Sequence, residues 1–382
     1  MAIDLDSAFA AFEASTDFTV GVEEEFAILD PASLDLVGRY EALKAAAAED
    51  EVLRDSVAGE LISSEIEIRS GRGEGLEDAL EHQRECRRRL FALAAEHGVA
   101  LGATGTHPWA DYREQEIIDT EHYRRLERDL QMVARRNNTF SLHVHVGVRG
   151  ADRAVEVCDR LRPVAPVLLA LSANSPYLDG RDAGLHSART QVFTKSFPRC
   201  GIPDHYGSWA SYRDYIDLLL RTRSIVEYTQ VWWSLRPHFG FGTVEVRICD
   251  AQSTAPESDA LAALIVACVA QAARDADEGR PSDPQPRRLL EENLWRAIRY
   301  GRDGRLVDFA AGRELEAEEA LERLLVWCEP ARGELGLDVS LPELNGAQRQ
   351  RRMIDTGADA PEVYAVSVRE TRDTYAAQAV CE

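Results

Sequence analysis

Lysine is nearly absent from this sequence. Only Lys44 and Lys195 are lysines, the other 42 of the 44 basic residues are arginines, and the formal net charge is −22. A surface this acidic repels nucleic acid and anionic membranes, and no concentrated basic patch offsets it. The composition therefore predicts neither a nucleic-acid nor a membrane partner, and an anionic substrate would require locally placed arginines or metal ions.

Paired cysteines and long apolar runs are also lacking. The seven cysteines are scattered without a CxxC pair, which is typical of free thiols in a reducing cytoplasm. The first 15 residues lack the basic start and apolar core of a signal peptide. The most apolar helix candidate, 260–273, is shorter than the ~18 apolar residues that indicate a membrane span. The sequence thus predicts a cytoplasmic protein with 260–273 as a core helix.

Signatures of the common nucleotide folds are missing as well. No GxGxxG follows a strand and no GxxxxGK[ST] occurs, which excludes a dinucleotide fingerprint and a P-loop. No GxSxG elbow marks a nucleophile. Any bound nucleotide must therefore be held in another way.

The elements that are present predict an α+β fold. Short β-like runs and amphipathic helices alternate irregularly, which does not match a regular βαβ order. The strand candidates are 19–29, 60–70, 98–105, 140–148 and 241–250, and the helix candidates besides 260–273 are 76–97, 151–172 and 209–222. The proline-rich 279–286 is the clearest linker. We expect one domain over 1–382, with 287–382 as its helical C-terminal layer.

The stretch "TVGVEEEFAIL" (19–29) carries three adjacent glutamates in an otherwise apolar strand. Because side chains alternate across a strand, Glu23 and Glu25 share one face and Glu24 falls on the apolar face. Buried carboxylates require compensating charge. We therefore expect Glu24 to have an arginine partner or a solvent-exposed gap.

Three further strands repeat this division into a polar and an apolar face. The polar faces carry Ser63, Glu65, Glu67 and Arg69 in 60–70, His143 and His145 in 140–148, and Thr243, Glu245 and Arg247 in 241–250. A solvated sheet face would explain any one of these strands. Four strands that share carboxylate, imidazole and guanidinium groups instead favour a metal and phosphate site.

Pairing of these strands in one sheet would bring their carboxylates together, and such a cluster requires divalent cations. Oxygen-rich ligation favours Mg²⁺ or Mn²⁺ over zinc. Arg247 lies one pleat from Glu245 and could meet a phosphate oxygen bidentately. The predicted metal ligands are Glu23, Glu25, Glu67, His143 and Glu245.

Seven motifs occur in a fixed order along the chain: "GVEEEF", "GTHPW", "LHVHVGV", "LSANSPYLDG", "SARTQVF", "WWSLRPH" and "FGTVEVRICD". In these motifs the sequence resembles the carboxylate–amine ligases of the glutamate–cysteine ligase type 2 family, whose fold is related to glutamine synthetase. The resemblance is strong over 17–300 and weaker in the helical tail. It implies a saddle-shaped, mainly antiparallel sheet with a polar concave face and with helices packed on the other face.

The resemblance also implies a reaction. ATP would phosphorylate the γ-carboxylate of glutamate, and an amine would attack the acyl phosphate to give an amide, ADP and phosphate. Cysteine is the default amine and would give γ-glutamylcysteine, as in thiol biosynthesis, but nothing in the sequence identifies a thiol pocket. The expected cofactors and partners are ATP, Mg²⁺ or Mn²⁺, glutamate and a small amine, and homo-oligomers occur among relatives.

The resemblance assigns roles to individual residues. It implies catalytic roles for Arg247 and Arg236, and nucleotide contacts for Lys195, Arg236 and Arg247. The substrate contacts that it implies are Arg189, His145 and Thr106. It adds Glu60 to the metal ligands Glu23, Glu25, Glu67, His143 and Glu245.

Two other functions remain open on the sequence alone. "HVHVG" is similar to the His-x-His strand of binuclear metal-dependent amidohydrolases, although such sites need further strand-end histidines and often a bridging lysine. A non-catalytic nucleotide-binding protein on the same fold is the other alternative. In the loop "ATGTHPW" (103–109), His107 has the pattern of a structural hydrogen-bonding residue rather than a ligand.

Overall fold

Seven antiparallel strands form the central sheet in the computed structural model, which describes residues 4–282 and 284–377. The strands of the described chain are β1 (Val20–Leu29), β2 (Val57–Ala58), β3 (Glu65–Arg69), β4 (Ala100–Gly102), β5 (Ser141–Gly147), β6 (Tyr177–Leu178), β7 (Arg181–Asp182), β8 (Cys200–Gly201), β9 (Trp232–Trp233), β10 (Leu235–His238), β11 (Thr243–Asp250), β12 (Arg305–Asp308) and β13 (Arg313–Glu316). The central sheet has the order β10-β11-β5-β1-β3-β2, and β4 pairs with the last residues of β1.

Helices make up most of the remaining regular structure. They are α1 (Leu5–Glu13), α2 (Tyr40–Ala47), α3 (Leu53–Ser56), α4 (Leu76–Glu96), α5 (Glu121–Leu130), α6 (Met132–Arg135), α7 (Ala151–Leu161), α8 (Ala165–Ser172), α9 (Ala188–Ser196), α10 (Trp209–Arg221), α11 (Ala255–Asp277), α12 (Arg287–Tyr300), α13 (Ala317–Glu334), α14 (Gly346–Asp355) and α15 (Ala360–Tyr375). Three short 3₁₀ turns lie at Tyr112–Glu114, Tyr228–Gln230 and Gly301–Asp303.

The register of the central strands sorts their side chains onto two faces. Glu23 of β1 lies opposite His143 of β5 on one side and Arg69 of β3 on the other. Glu245 of β11 lies opposite His145 of β5. Directly paired residues in an antiparallel sheet point to the same face. One face of the sheet therefore collects carboxylate, imidazole and guanidinium groups, as the alternation in the sequence predicts.

The opposite face of the sheet is apolar and covered by helices. Val22, Val144 and Val246 pack into one core cluster with side chains of α7, α8 and α11. Phe26 and Ile66 pack into a second cluster with α4 and α15. This arrangement confirms the predicted α+β fold with helices on the apolar side of an antiparallel sheet.

The predicted core helix corresponds to α11, which is long and apolar enough to cross a membrane by length and composition. Its side chains are mostly buried against the sheet, α7 and α13. Six of the seven cysteines are free and buried, and Cys381 lies outside the described residues.

Several predicted boundaries were wrong. The strand predicted over 60–70 is confined to β3, and the one over 98–105 to β4. The helix predicted over 151–172 is two helices, α7 and α8, because Pro163 and Pro166 lack the N–H donors that a continuous helix needs. The tail predicted as helical also contains the β12–β13 hairpin.

Candidate active site

The polar face of the central sheet is the floor of a cleft of about 340 Å³. Helices α5, α6 and α9 and the segment 227–232 contribute its walls. The sequence-predicted residues that line it are Glu23, Glu25, Glu60, Glu67, His143, His145, Arg189, Arg236, Glu245 and Arg247. Strands far apart in sequence thus bring most of the predicted site residues into one place.

Two sets of side chains in the cleft have the spacing of cation ligands. In one set, ligand atoms of Glu23, His143 and Glu245 lie within 4.8 Å of one another. In the other, ligand atoms of Glu25, Glu67 and His143 do the same. Because both sets use His143, the two candidate cation positions adjoin each other.

Glu23 lies between the two histidines of β5. His143 Nδ1 is 3.2 Å from Glu23 Oε2, and His145 Nε2 is 3.4 Å from Glu23 Oε1. Burial alone would raise the pKa of Glu23, but the charge of His145 and the hydrogen bond with His143 outweigh burial and hold this pKa well below its usual range. Glu23 is therefore a carboxylate, as a cation ligand must be.

Glu245 is held between two arginines. Arg236 donates to both of its carboxylate oxygens, and Arg247 Nη1 donates to Oε1. Burial would raise the pKa of Glu245, yet Arg236 and Arg247 overcome it and keep the pKa well below its usual range. Arg236 Nη1 also donates to the carbonyl oxygen of Val231 at 2.7 Å. These contacts fix both guanidinium groups beside the cleft.

A second group of carboxyls, those of Glu60, Glu65 and Glu67, has raised rather than lowered pKa values. Burial, followed by repulsion from Glu25, raises the pKa of Glu60 to about 8. The same two causes raise the pKa of Glu65 well above its usual range, and burial with repulsion from Glu23 does so for Glu67. This part of the cleft holds more carboxylate charge than its guanidinium neighbours balance.

The donor set fits a divalent cation on chemical grounds. Carboxylate oxygens with one imidazole are ligands that Mg²⁺ and Mn²⁺ accept. Arg69 forms ion pairs with Glu67 at 2.6 Å and with Glu23 at 3.7 Å, but not with Glu25 or Glu60. A cation among these carboxylates would stabilise their ionised forms and remove the repulsion that raises their pKa values.

Ser141 of β5 contacts two of the candidate cation ligands, Glu25 and His143. Ser141 donates from both its backbone N and its Oγ to Glu25 Oε2 at 2.6 Å. The same Oγ lies 2.8 Å from His143 Nε2. Ser141 therefore fixes the orientation of a carboxylate and an imidazole that belong to the same candidate cation position.

Arg189 enters the cleft from α9 and is buried. Its Nη1 and Nη2 donate to the carbonyl oxygens of Ile248 and Arg247 at 3.1 Å. Its Nε has no hydrogen-bond partner, and the same is true of Arg247 Nε and His145 Nε2. Buried donors without partners are unfavourable, so these three atoms favour a ligand that accepts hydrogen bonds.

Two predicted site residues lie elsewhere. Lys195 is on α9, and its Nζ forms an ion pair with Glu291 of α12. The residue lines a separate surface cleft. Thr106 is buried, and its Oγ1 donates to the carbonyl oxygen of Tyr177 at 2.8 Å. Neither residue lines the active-site cleft, because each side chain is already held by a structural partner.

Other cleft residues had no assigned role in the sequence. Glu65 and Arg69 line the cleft beside Glu67, and the alternation in β3 had already placed them on that face. His238 of β10 lies opposite Thr243 and is part of the same floor, but the sequence showed no strand there. Tyr123 reaches the cleft from α5, which no local pattern connects to the sheet.

Glu24 lies on the apolar face and has the predicted arginine partner. Arg87 of α4 donates from Nε and Nη2 to its two carboxylate oxygens, both at 2.7 Å. Gln83 and Ser258 donate to the same carboxylate. Burial would raise the pKa of Glu24, and Arg87 outweighs it, so the pKa is lowered. The three adjacent glutamates therefore belong to two separate environments.

The fold places this chain among glutathione synthetase and glutamate–cysteine ligase structures. The glutamate–cysteine ligase of Francisella tularensis, solved in complex with AMP, aligns with a TM-score of 0.64 and 13% identity over 95% of this chain and 90% of that one. A bifunctional glutathione synthetase from Pasteurella multocida aligns with a TM-score of 0.67 and 11% identity, over 97% of this chain and 54% of that one. These alignments show that the chain shares its fold, with helices packed on an antiparallel sheet, with both structures.

The chain belongs to glutamate–cysteine ligase family 2, whose family model matches residues 19–371. It is 37% identical over 360 residues to the "Putative glutamate--cysteine ligase 2" of Solibacter usitatus, covering 92% of this chain and 93% of that protein. It is 35% identical over 371 residues to the "Putative glutamate--cysteine ligase 2-1" of Rubrobacter xylanophilus, covering 95% of this chain and 97% of that protein. Family membership confirms the resemblance seen in the sequence motifs.

Proposed function

We propose that this protein is an ATP-dependent carboxylate–amine ligase that joins the γ-carboxylate of glutamate to an amine through an acyl phosphate. One observation carries the proposal: two adjoining carboxylate–imidazole sets share His143 in a cleft that also contains Arg189, Arg236 and Arg247. Phosphoryl transfer between two anions requires this combination of cation ligands and fixed positive charge. The AMP bound to the Francisella tularensis ligase supports a nucleotide as one substrate.

The carboxylates and His143 would hold the cations. Glu23, His143 and Glu245 would form one position, and Glu25, Glu67 and His143 the other, with Glu60 beside them. When bound, divalent cations neutralise phosphate charge and align the reacting oxygens. Ser141 and Arg69 would keep Glu25 and Glu67 in place through the contacts described above.

The arginines would act on the anionic groups of the substrates. Arg236 and Arg247 are locked by Glu245, so little reorganisation is needed when negative charge develops on the transferring phosphoryl group. Arg247 would contact that group, and Arg236 would contact nucleotide or acyl phosphate. Arg189, with its free Nε, would hold a substrate carboxylate, and His145 would contact substrate through Nε2.

ADP release separates the candidate reactions. The full chain is incubated with ATP, Mg²⁺, glutamate and a panel of amines, and ADP is measured with each component omitted in turn. ADP formation that requires both glutamate and an amine supports the ligase. Amide hydrolysis without ATP would instead indicate a metal-dependent hydrolase, and nucleotide binding without turnover would indicate a non-catalytic protein.

A further inference from the structure

One wall of the active-site cleft is aromatic. Phe193 and Phe197 follow Arg189 at intervals of four residues along α9 and just beyond its end. Residues four apart lie on the same face of a helix, and all three side chains line the cleft. A ligand that enters the cleft beside Arg189 would therefore meet two phenyl rings.

Neighbouring elements complete this wall. The parallel pairing of β8 with β9 places Trp232 against Phe197, and their ring centroids lie 5.3 Å apart. The centroids of Phe193 and Phe197 lie 4.7 Å apart. Leu126 of α5 also lines the cleft and is largely buried. The three rings of Phe193, Phe197 and Trp232, which we call the aromatic wall, form an apolar surface inside an otherwise polar site.

The excess of carboxylates over guanidinium groups in the cleft favours an amine over a nucleotide. Glu227 and Glu60 line the same cleft, and Glu227 Oε1 lies 2.9 Å from His122 Nδ1. Seven glutamates and four arginines, with Arg69 among them, line this cleft. The carboxylate and guanidinium groups that line an adjoining cavity of about 410 Å³, reached past Glu23, are those of Glu23, Arg69 and Arg72. A polyanionic nucleotide is attracted to guanidinium groups and repelled by carboxylates, whereas an ammonium group shows the reverse preference.

Glutamate does not match the aromatic wall either, because its two carboxylates and its ammonium group leave only two methylenes to contact it. Cysteine offers one methylene and a thiol. On the basis of the function proposed above, we propose that the acceptor is an amine with an aromatic or similarly bulky apolar body. That body packs on the aromatic wall while its amino group points toward the carboxylate-lined floor of the cleft.

Matched amines test the size and polarity of the acceptor. Phenethylamine and ethylamine differ by one phenyl ring, and cysteine is the family's default. With saturating Mg-ATP and glutamate, we expect kcat/KM for phenethylamine to exceed the values for ethylamine and cysteine by about tenfold or more, the range of discrimination that an apolar pocket provides. Phe193→Ala should lower the phenethylamine-to-ethylamine ratio by about tenfold.

Two further variants keep the test interpretable. Phe193→Leu retains an apolar side chain and should give an intermediate ratio, even if Phe193→Ala fails to fold. Trp295→Ala removes an exposed aromatic ring of α12 that does not line the cleft, so it should keep the wild-type ratio. Thermal unfolding of each variant separates a lost contact from a lost fold.

The outcomes distinguish this proposal from the function on which it rests. ADP formation with cysteine or ethylamine preferred over phenethylamine would overturn the aromatic acceptor and leave the ligase intact. A rise in the KM for ATP by the same factor with every amine in Phe193→Ala would show that the wall holds the nucleobase, which also overturns it. ADP release with no amine at all would overturn the ligase and the acceptor together.

Discussion

At the scale of single residues, three consecutive glutamates of β1 divide between two roles because neighbouring strand residues face opposite sides of the sheet. Glu23 and Glu25 face the cleft, where both belong to candidate cation sets. Glu24 faces the helices and is paired with Arg87. The sequence was sufficient to predict this division, because strand alternation depends only on local backbone geometry. It left an arginine partner or a solvent-exposed gap open for Glu24, and the structure has the arginine.

Substitution of a cleft-facing glutamate and of Glu24 should therefore affect different properties. Glu23→Gln, Glu25→Gln or Glu245→Gln should lower kcat by about 100-fold or more, because a lost cation ligand removes charge stabilisation in the transition state. Glu24→Gln should instead lower the free energy of unfolding by about 3 kcal/mol, since it breaks a buried ion pair. Steady-state kinetics and urea denaturation of all four variants separate the two effects.

Glu24→Gln is the matched control, because it makes the same chemical change one residue away. Arg87 keeps Asp259 at 2.8 Å in this variant, so the protein should still fold. Wild-type kcat in Glu23→Gln would refute the cation site.

Proton release should accompany cation binding. With the pKa of Glu60 near 8 in the cation-free protein, this carboxyl carries a proton at pH 7, and a bound divalent cation favours its ionised form. Titration calorimetry with Mg²⁺ in buffers of different ionisation enthalpy should show proton release at pH 7, from Glu60 and from the cation ligand Glu67, whose pKa is also raised. Apparent affinity should rise as the pH increases toward 8. Glu60→Gln should lower the number of protons released by about one, and buffer-independent enthalpies for the wild type would contradict the assignment.

At the scale of elements, a bulge in β11 changes which residues reach the site. The register with β5 shifts between Val246 and Cys249, so Asp250 lies opposite Ser141 rather than on the face that strict alternation predicts. Asp250 then accepts hydrogen bonds from Ser175 and Ser187, and its Oδ1 lies 3.7 Å from Arg189. Alternation in a single sequence cannot reveal a bulge, because the extra residue is defined only by its partner strand.

The loop after β4 illustrates a local prediction that the structure confirms. His107 is fully buried and acts as a structural residue: its Nε2 lies 2.8 Å from the carbonyl oxygen of Leu34, and its Nδ1 accepts from the backbone N–H groups of Trp109 and Ala110. Two donors at Nδ1 require the neutral ring with its proton on Nε2. Burial accordingly lowers the pKa of His107 to about 4.

This loop should make stability depend on pH. The pKa of His107 is lower in the folded state than the ordinary 6.5 of the unfolded chain, so its contribution is complete above pH 6.5 and is lost as the pH falls toward 4. Between pH 7.5 and 5 we expect His107 to account for about 2 kcal/mol of the decrease in unfolding free energy. His107→Asn should show a shallower pH slope in urea denaturation, and the exposed His97→Asn should keep the wild-type slope. Equal slopes in all three proteins would contradict this role.

At the scale of the whole molecule, the sequence predicted the fold class and most of the cleft but not its walls. The floor was predictable because four strands each repeat the same alternation, and the apolar faces require a shared core. The walls come from α5, α9 and 227–232, whose positions depend on tertiary contacts such as that of His122 with Glu227. Lys195, for which the resemblance implied a nucleotide contact, lies outside the cleft, and its position on a helix does not reveal its partner Glu291.

Transfer of labelled oxygen tests the proposed reaction most directly. The full chain turns over ATP, Mg²⁺ and an amine with glutamate that carries ¹⁸O in both oxygens of its γ-carboxylate. An acyl phosphate forms when a carboxylate oxygen bonds to the γ-phosphorus, and attack by the amine leaves that oxygen on phosphate. The account predicts one ¹⁸O in each phosphate released, at a rate equal to amide formation. Phosphate without ¹⁸O would contradict it.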